Sequence, residues 1–157
     1  TPYFMFADDL FNISRKFAEG MADAFIENKV DIMWSDCAYL KFLDAPLLQK
    51  IRKSGAIRLV WGVESASPKM QKIINKRIDL EEGKKILKWS HEAGIYNSLE
   101  IIAGLPGETD EDVEYTVEFL KQVRPYVDQM YLNIHPYLHN KVKIVHFPIH
   151  HLLHLLL

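Results

Sequence analysis

The stretch Ile57-Arg58-Leu59-Val60-Trp61-Gly62-Val63-Glu64-Ser65-Ala66-Ser67-Pro68 decides the architecture. Its opening run is apolar with little alternation, which predicts a strand over 57–63 buried on both faces. An acid, Glu64, closes the run. Ser67-Pro68 then reads as a helix N-cap followed by proline at the first helical position, with Met70, Ile73 and Ile74 facing inward. Strand, polar end and helix make one unit, and the same unit recurs on both sides.

Upstream, residues 3–7 and 30–34 are predicted strands, and Phe17, Met21, Phe25 and Ile26 between them recur at helical spacing. Asp44 can cap a helix carrying Leu47, Leu48 and Ile51, which Gly55 stops. Downstream, Asp79 and Glu82 have capping-box spacing and open a helix that Gly94 ends. A strand over 98–103 and the turn Leu105-Pro106-Gly107 come next. Thr109 opens an acidic-first helix with Val113, Val117 and Leu120, closed by Arg124-Pro125, and a last strand covers 129–134. Strands separated by helices at roughly 30 residues per unit require right-handed crossovers and a parallel sheet. The fold class is α/β, as an open doubly wound sheet or as an arc of a β/α barrel. Both bind ligands at the carboxyl ends of their strands.

The bulk composition narrows the function. The chain has 157 residues, 48% hydrophobic and 25% charged, enough for one domain with a sizeable core. Nineteen Lys and Arg against twenty-one Asp and Glu leave a net charge of −2, which argues against a nucleic-acid module working through bulk positive charge. The one cysteine, Cys37, excludes an internal disulfide framework and a self-contained multi-cysteine metal site; it reads as a small buried residue. No apolar run reaches the ~20 residues of a membrane span and no signal peptide opens the chain, so the expected setting is the cytoplasm, with no membrane partner. The chain opens at once on a strand-like run. Its end, His146-Phe147-Pro148-Ile149-His150-His151 and onward, lacks caps and a core face, and Pro148 interrupts helical spacing between the histidines. The expectation is a piece of a larger protein with an aberrant tail and no metal site in it.

The strand ends carry the chemistry: Asp8-Asp9, Ser35-Asp36, Glu64-Ser65, Gly104 through Glu108, and His135. Asp8, Asp9, Ser35 and Asp36 can each be a ligand contact or a cap of the next helix. Glu108 suits a helix N-terminus, where the dipole stabilises a carboxylate. Glu100 lies inside a strand on the face of Ile102 and Gly104; burial there requires a cationic or hydroxyl partner, and Lys76 is a candidate. Gly104-Leu105-Pro106-Gly107 allows close backbone approach to a ligand but lacks the lysine of a phosphate loop. Carboxylate-based hydrolysis is disfavoured, since no histidine or nucleophile is placed beside Glu64 or Glu100.

Four segments, Phe6-Ala7-Asp8-Asp9-Leu10-Phe11, Trp61 through Ser67, Asn75-Lys76, and Ile102-Ala103-Gly104-Leu105-Pro106-Gly107-Glu108-Thr109, in this order and spacing resemble the radical S-adenosylmethionine enzymes. The branch is that of Fe–S oxidoreductases and cobalamin-associated radical enzymes. The resemblance implies that residues 1–137 form a core fragment, strands two to six of a partial six-stranded β/α barrel lacking its first strand, and that 138–157 are an anomalous tail. It implies that Glu64 hydrogen-bonds S-adenosylmethionine, that Lys76 meets its methionyl carboxylate, that Glu100 suits its ribose hydroxyls, and that Gly104-Leu105 pass beside its adenine. Asp8 and Asp9 are further cofactor contacts.

The activity implied for the parent protein is reductive cleavage of S-adenosylmethionine by a [4Fe–4S] cluster, with hydrogen abstraction from a small-molecule substrate. An electron donor such as flavodoxin or ferredoxin is the partner implied, and cobalamin is left open. The family's Cys-x3-Cys-x2-Cys loop is absent, and one thiolate cannot hold a cluster. The fragment alone is therefore expected to be inactive, and a non-catalytic remnant or binding module on the same sheet is the alternative.

Overall fold

A computed structural model describes residues 1–7 and 10–135. β1 (Tyr3–Met5) leads to α1 (Arg15–Glu27), β2 (Met33–Ala38), α2 (Ala45–Lys53), β3 (Ala56–Glu64), α3 (Pro68–Ile73) and α4 (Leu80–Glu92). β4 (Tyr96–Ala103), α5 (Asp110–Val123), a 3-10 turn at Arg124–Tyr126 and β5 (Gln129–Ile134) complete it. Every pairing is parallel and the spatial order is β1-β2-β3-β4-β5. Strands adjacent in sequence are adjacent in space throughout. A doubly wound sheet would reverse direction at a switch point; this order makes an arc of a β/α barrel instead.

The helices start and stop where the sequence places their caps. Ser14, Asp44, Ser67 and Asp79 each accept a backbone N–H of the following turn through their side chains. Such caps contribute ~1 kcal/mol each. On the helix-facing side of the sheet, Trp34, Leu59, Trp61 and Leu99 are fully buried against Leu48, Ile51, Ile86 and Leu87. The indole of Trp34 donates to the Ser54 carbonyl (3.1 Å) and that of Trp61 to Asn97 Oδ1 (2.9 Å). Buried Asn97 also accepts from Ser90 Oγ and donates to the carbonyls of Leu87 and Tyr126, tying α4 and the 3-10 turn to β4.

Four expectations fail here. β2 begins at Met33, not residue 30, because the chain leaves α1 through Lys29 at φ 52° and pairs with β3 only from Trp34. Ser35 and Asp36 therefore lie within the strand. β3 is covered on one side only: Leu59, Trp61 and Val63 are buried, while Arg58, Val60, Gly62 and Glu64 face the open concave side and are half-buried. Cys37 points to that same concave side and is exposed. Phe17 and Ile73 are also exposed, since α1 packs through Ala18 and Ala22 and α3 through Met70 and Gln71. Asp8, Asp9 and the tail from 138 onward lie outside the described residues.

Candidate functional site

The concave face acquires its shape from one irregularity. β3 and β4 run in register as far as Gly62 opposite Glu100; the pairing then slips, so that Glu64 lies opposite Ile101. A bulge of this kind bends a strand and re-aims a side chain. Glu64 takes φ 64°, the left-handed region, which costs a non-glycine residue ~1–2 kcal/mol. Its carboxylate turns back over Gly62. There Lys76 Nζ donates to Glu64 Oε1 (2.7 Å) and to the Gly62 carbonyl (2.7 Å).

Lys76 is delivered by an equally constrained loop. Its neighbours Asn75 and Arg77 have φ 56° and 51°, and the backbone N–H groups of Lys76 and Arg77 both donate to the Gln71 carbonyl (3.1 and 3.3 Å). Gln71 is buried on α3. Its Nε2 donates to the carbonyls of Val63 (3.0 Å) and Ser65 (2.5 Å), and its Oε1 accepts from the Ile78 N–H (3.0 Å). One amide thus joins the end of β3 to the loop bearing Lys76. From β2, the Tyr39 hydroxyl donates to the Lys76 carbonyl. Residues held off their preferred backbone geometry by surrounding structure cluster at functional sites.

These elements enclose a cavity of about 350 Å³, lined among others by Cys37, Tyr39, Gly62, Glu64, Lys76 and Glu100. The volume falls in the range of small-molecule sites. Glu100 is half-buried rather than buried, and Lys76 pairs with Glu64 rather than with it. The Glu100 carboxylate makes no hydrogen bond or ion pair with any described residue. The cavity therefore presents a carboxylate with open acceptor sites beside a clasped ammonium that has a third donor to give.

Gly104 and Leu105 are buried at the carboxyl end of β4. Gly104 has φ 80°, and its N–H donates to Glu108 Oε2 (2.6 Å). Glu108 thus closes the turn onto itself rather than simply facing the helix end. Burial raises the Glu108 carboxyl above its usual range, against the pull of the Gly104 and Leu105 N–H groups. The next turn holds a second acid. Buried Asp112 accepts from Ser67 Oγ (2.5 Å), Lys69 Nζ (2.5 Å), and the N–H and hydroxyl of Thr109 (2.9 and 2.7 Å). Burial alone would raise this carboxyl, but the donors outweigh it and hold it well below the usual carboxylate range. The start of α3 is thereby fastened to the start of α5.

Sequence reasoning named Glu64, Lys76 and Glu100, and the structure brings all three to one cavity. It missed the contributions of Tyr39 and Gln71: with the second strand placed over 30–34, Tyr39 fell beyond the expected strand end, Gln71 lies on a helix, and both act on the backbone of the Lys76 loop. Among the described residues, no group of three or more His, Cys, Asp or Glu could hold a metal ion, and no helix is long and apolar enough to cross a membrane.

The family model of the Radical SAM superfamily matches residues 5–120. The chain belongs to that superfamily. It is 27% identical over 118 residues to an uncharacterised methyltransferase of Pyrococcus horikoshii, covering 75% of this chain and 26% of that protein. It is 30% identical over 120 residues to the anaerobic magnesium-protoporphyrin IX monomethyl ester cyclase of Cereibacter sphaeroides, covering 73% and 19%. A solved structure of similar fold is the radical S-adenosylmethionine methyltransferase TsrM of Kitasatospora setae, with cobalamin and a [4Fe–4S] cluster bound. Its TM-score is 0.69 at 14% identity, over 84% of this chain and 27% of that one. The chain spans about a quarter or less of the length of these curated relatives.

Proposed function

We propose that this chain is the S-adenosylmethionine-cradling arc of a radical enzyme that cleaves this cofactor reductively and abstracts hydrogen from a small-molecule substrate. The observation that supports it best is the pair of complementary groups in one cavity at the strand ends: the Glu100 carboxylate with no partner among the described residues, and Lys76 clasped by Glu64 with a donor to spare. Vicinal ribose hydroxyls are donors that match an open carboxylate, and a methionyl carboxylate matches an ammonium. Gly62, opposite Glu100, keeps the wall between them clear of any Cβ. Gly104-Leu105 form the adjoining strand end, where adenine would lie against backbone.

The residues present do not fit a [4Fe–4S] cluster. The sequence holds one cysteine, and a cluster of the implied kind needs three thiolates. No step is therefore assigned to a cluster in this chain; the share assigned to its residues is binding and orientation.

The test is calorimetric titration of the chain with adenosine and with 2′,3′-dideoxyadenosine. Adenosine should bind at least about tenfold more tightly, a difference of ~1.4 kcal/mol, and Glu100→Gln should abolish most of that preference. Equal affinity for the two nucleosides, with Glu100→Gln silent, would refute the ribose assignment and favour a remnant that kept the sheet without the site.

A further inference from the structure

We infer that the concave face carries a second recognition point, a carboxylate anchor built on Arg58, below the cavity just described. Arg58 enters the concave face near the amino end of β3, in register with Ser35 on β2 and Tyr96 on β4. Its Nε donates to Ser98 Oγ (2.8 Å), and its Nη2 donates to the Tyr131 hydroxyl (3.1 Å) and, at the limit of contact, to Gln129 Oε1 (3.5 Å). The guanidinium carbon lies 6.0 Å from the ring centre of Tyr96 and 5.9 Å from that of Tyr131. Three strands thus hold one half-buried guanidinium in a fixed plane.

What is missing is an acid. Among the described residues, the groups that hydrogen-bond or stack on Arg58 are neutral and no carboxylate forms an ion pair with it. The three bonds leave the two Nη1 hydrogens without an acceptor among the described residues. A guanidinium fork with an open side and its rotamers already fixed is suited to bidentate recognition of a planar carboxylate, with little ordering left to do on binding. A phosphate would call for more positive charge. No second Lys or Arg joins the cluster, whose other members are Ser98, Gln129, Tyr131 and Tyr96. The single charge fits a monocarboxylate.

The position says what such an anchor would do. Arg58 and Gly62 are four residues apart on one strand, which at ~3.3 Å per residue puts the anchor ~13 Å below Gly62 and ~7 Å below Val60, which also lines the cavity. Half-buried Val60 lies between them on the same face. An elongate organic acid held by Arg58 would run up the concave face and bring its far carbons to the cofactor end. This assignment of substrate class rests on the proposed function, but the anchor itself is measurable without it.

The experiment is titration of the chain with hexanoate, with inorganic phosphate, and with chloride at matched ionic strength, followed by saturation-transfer NMR and calorimetry. Hexanoate should bind saturably and phosphate more weakly. Arg58→Gln should weaken hexanoate at least tenfold, Arg58→Lys should weaken it severalfold by removing the fork while keeping the charge, and Glu100→Gln should leave it unchanged. Arg58→Lys and Tyr131→Phe keep the packing, so they carry the test if Arg58→Gln does not fold. Absence of saturable hexanoate binding, or binding indifferent to both Arg58 substitutions, would overturn the anchor; phosphate binding more tightly than hexanoate would overturn its carboxylate specificity. Loss of the adenosine preference with hexanoate binding intact would refute the cofactor reading and leave the anchor standing.

Discussion

Gly62→Ala should separate the site from the fold. An ideal Cβ on Gly62 would lie 2.6 Å from Lys76 Nζ and 2.9 Å from Glu64 Oε1, distances that force something to move. Both atoms end flexible side chains, so the sheet itself need not shift. The ammonium loses the Gly62 carbonyl and its clasp on Glu64 loosens. A partly exposed ion pair contributes ~0.5–1 kcal/mol and the charge-assisted hydrogen bond ~1.5 kcal/mol. Alanine recovers ~0.5–1 kcal/mol over glycine within a strand. The net loss of stability should be ~1–2 kcal/mol, measurable by urea denaturation. Affinity for S-adenosylhomocysteine should fall at least about tenfold, because its carboxylate loses Lys76 and the new methyl enters the cavity; adenosine should be less affected. Gly20→Ala, where a new Cβ meets nothing within 4 Å, is the control. It should stabilise α1 by ~0.5–1 kcal/mol and leave binding alone. A destabilisation above ~3 kcal/mol in Gly62→Ala would show that the backbone, not the side-chain ends, meets the methyl. Unchanged affinity at unchanged fold would refute the role given to the gap at Gly62.

Asp112→Ala leaves Ser67, Lys69 and Thr109 without their shared acceptor, and should cost ~3 kcal/mol in denaturant unfolding. Because its folded-state pKa is depressed below 3.8, the stability Asp112 contributes is present above that value and is lost as the pH falls below it; the gap between wild type and Asp112→Asn should close in acid. Glu108 has the opposite sign: its folded-state pKa lies above 4.5, so wild type should lose stability relative to Glu108→Gln as the pH rises through the range just above that value. A flat difference between the two proteins from pH 4 to 7 would refute that ordering. Anaerobic treatment of the chain with iron and sulfide should give no stoichiometric [4Fe–4S] absorbance, since it offers a single thiol; a full cluster spectrum would overturn the thiol count as the limiting factor.

Much of this molecule is legible in its sequence because its signals are local. Caps such as Ser67-Pro68 and Asp44, and the buried side of α2, depend on near neighbours, and each appears where local rules place it. The start of β2 was misplaced because Val30 and Ile32 have strand propensity that tertiary pairing overrides: the ladder to β3 begins only at Trp34. The even positions of β3 are expected to be buried because an apolar run does not say whether one face or two will be covered, and Cys37 because a lone cysteine is usually a small buried residue; both lie on the open concave face. The partner of Lys76 was misassigned for a related reason. Glu64 reaches it only because the register slips after Gly62, and a bulge leaves no residue signature in this stretch.

That slip also explains why the site can form at the carboxyl end of β3. A regular strand would send Glu64 on toward the end of the sheet, away from Gly62. The left-handed turn at Glu64 folds its carboxylate back, and the cation it meets, Lys76, is carried by a loop with two left-handed residues of its own, Asn75 and Arg77. Neither conformation is favourable alone at ~1–2 kcal/mol per residue. Each is held by bonds that end on the other: Gln71 grips the carbonyls of Val63 and Ser65 on one side and the Ile78 N–H on the other, while Lys76 grips Glu64 and Gly62. The strained segments are stable only as a pair. Both must be in place for Glu64, Lys76 and Glu100 to line one cavity around Gly62, so the cavity wall is a product of packing at the end of β3 and not of any one residue in it.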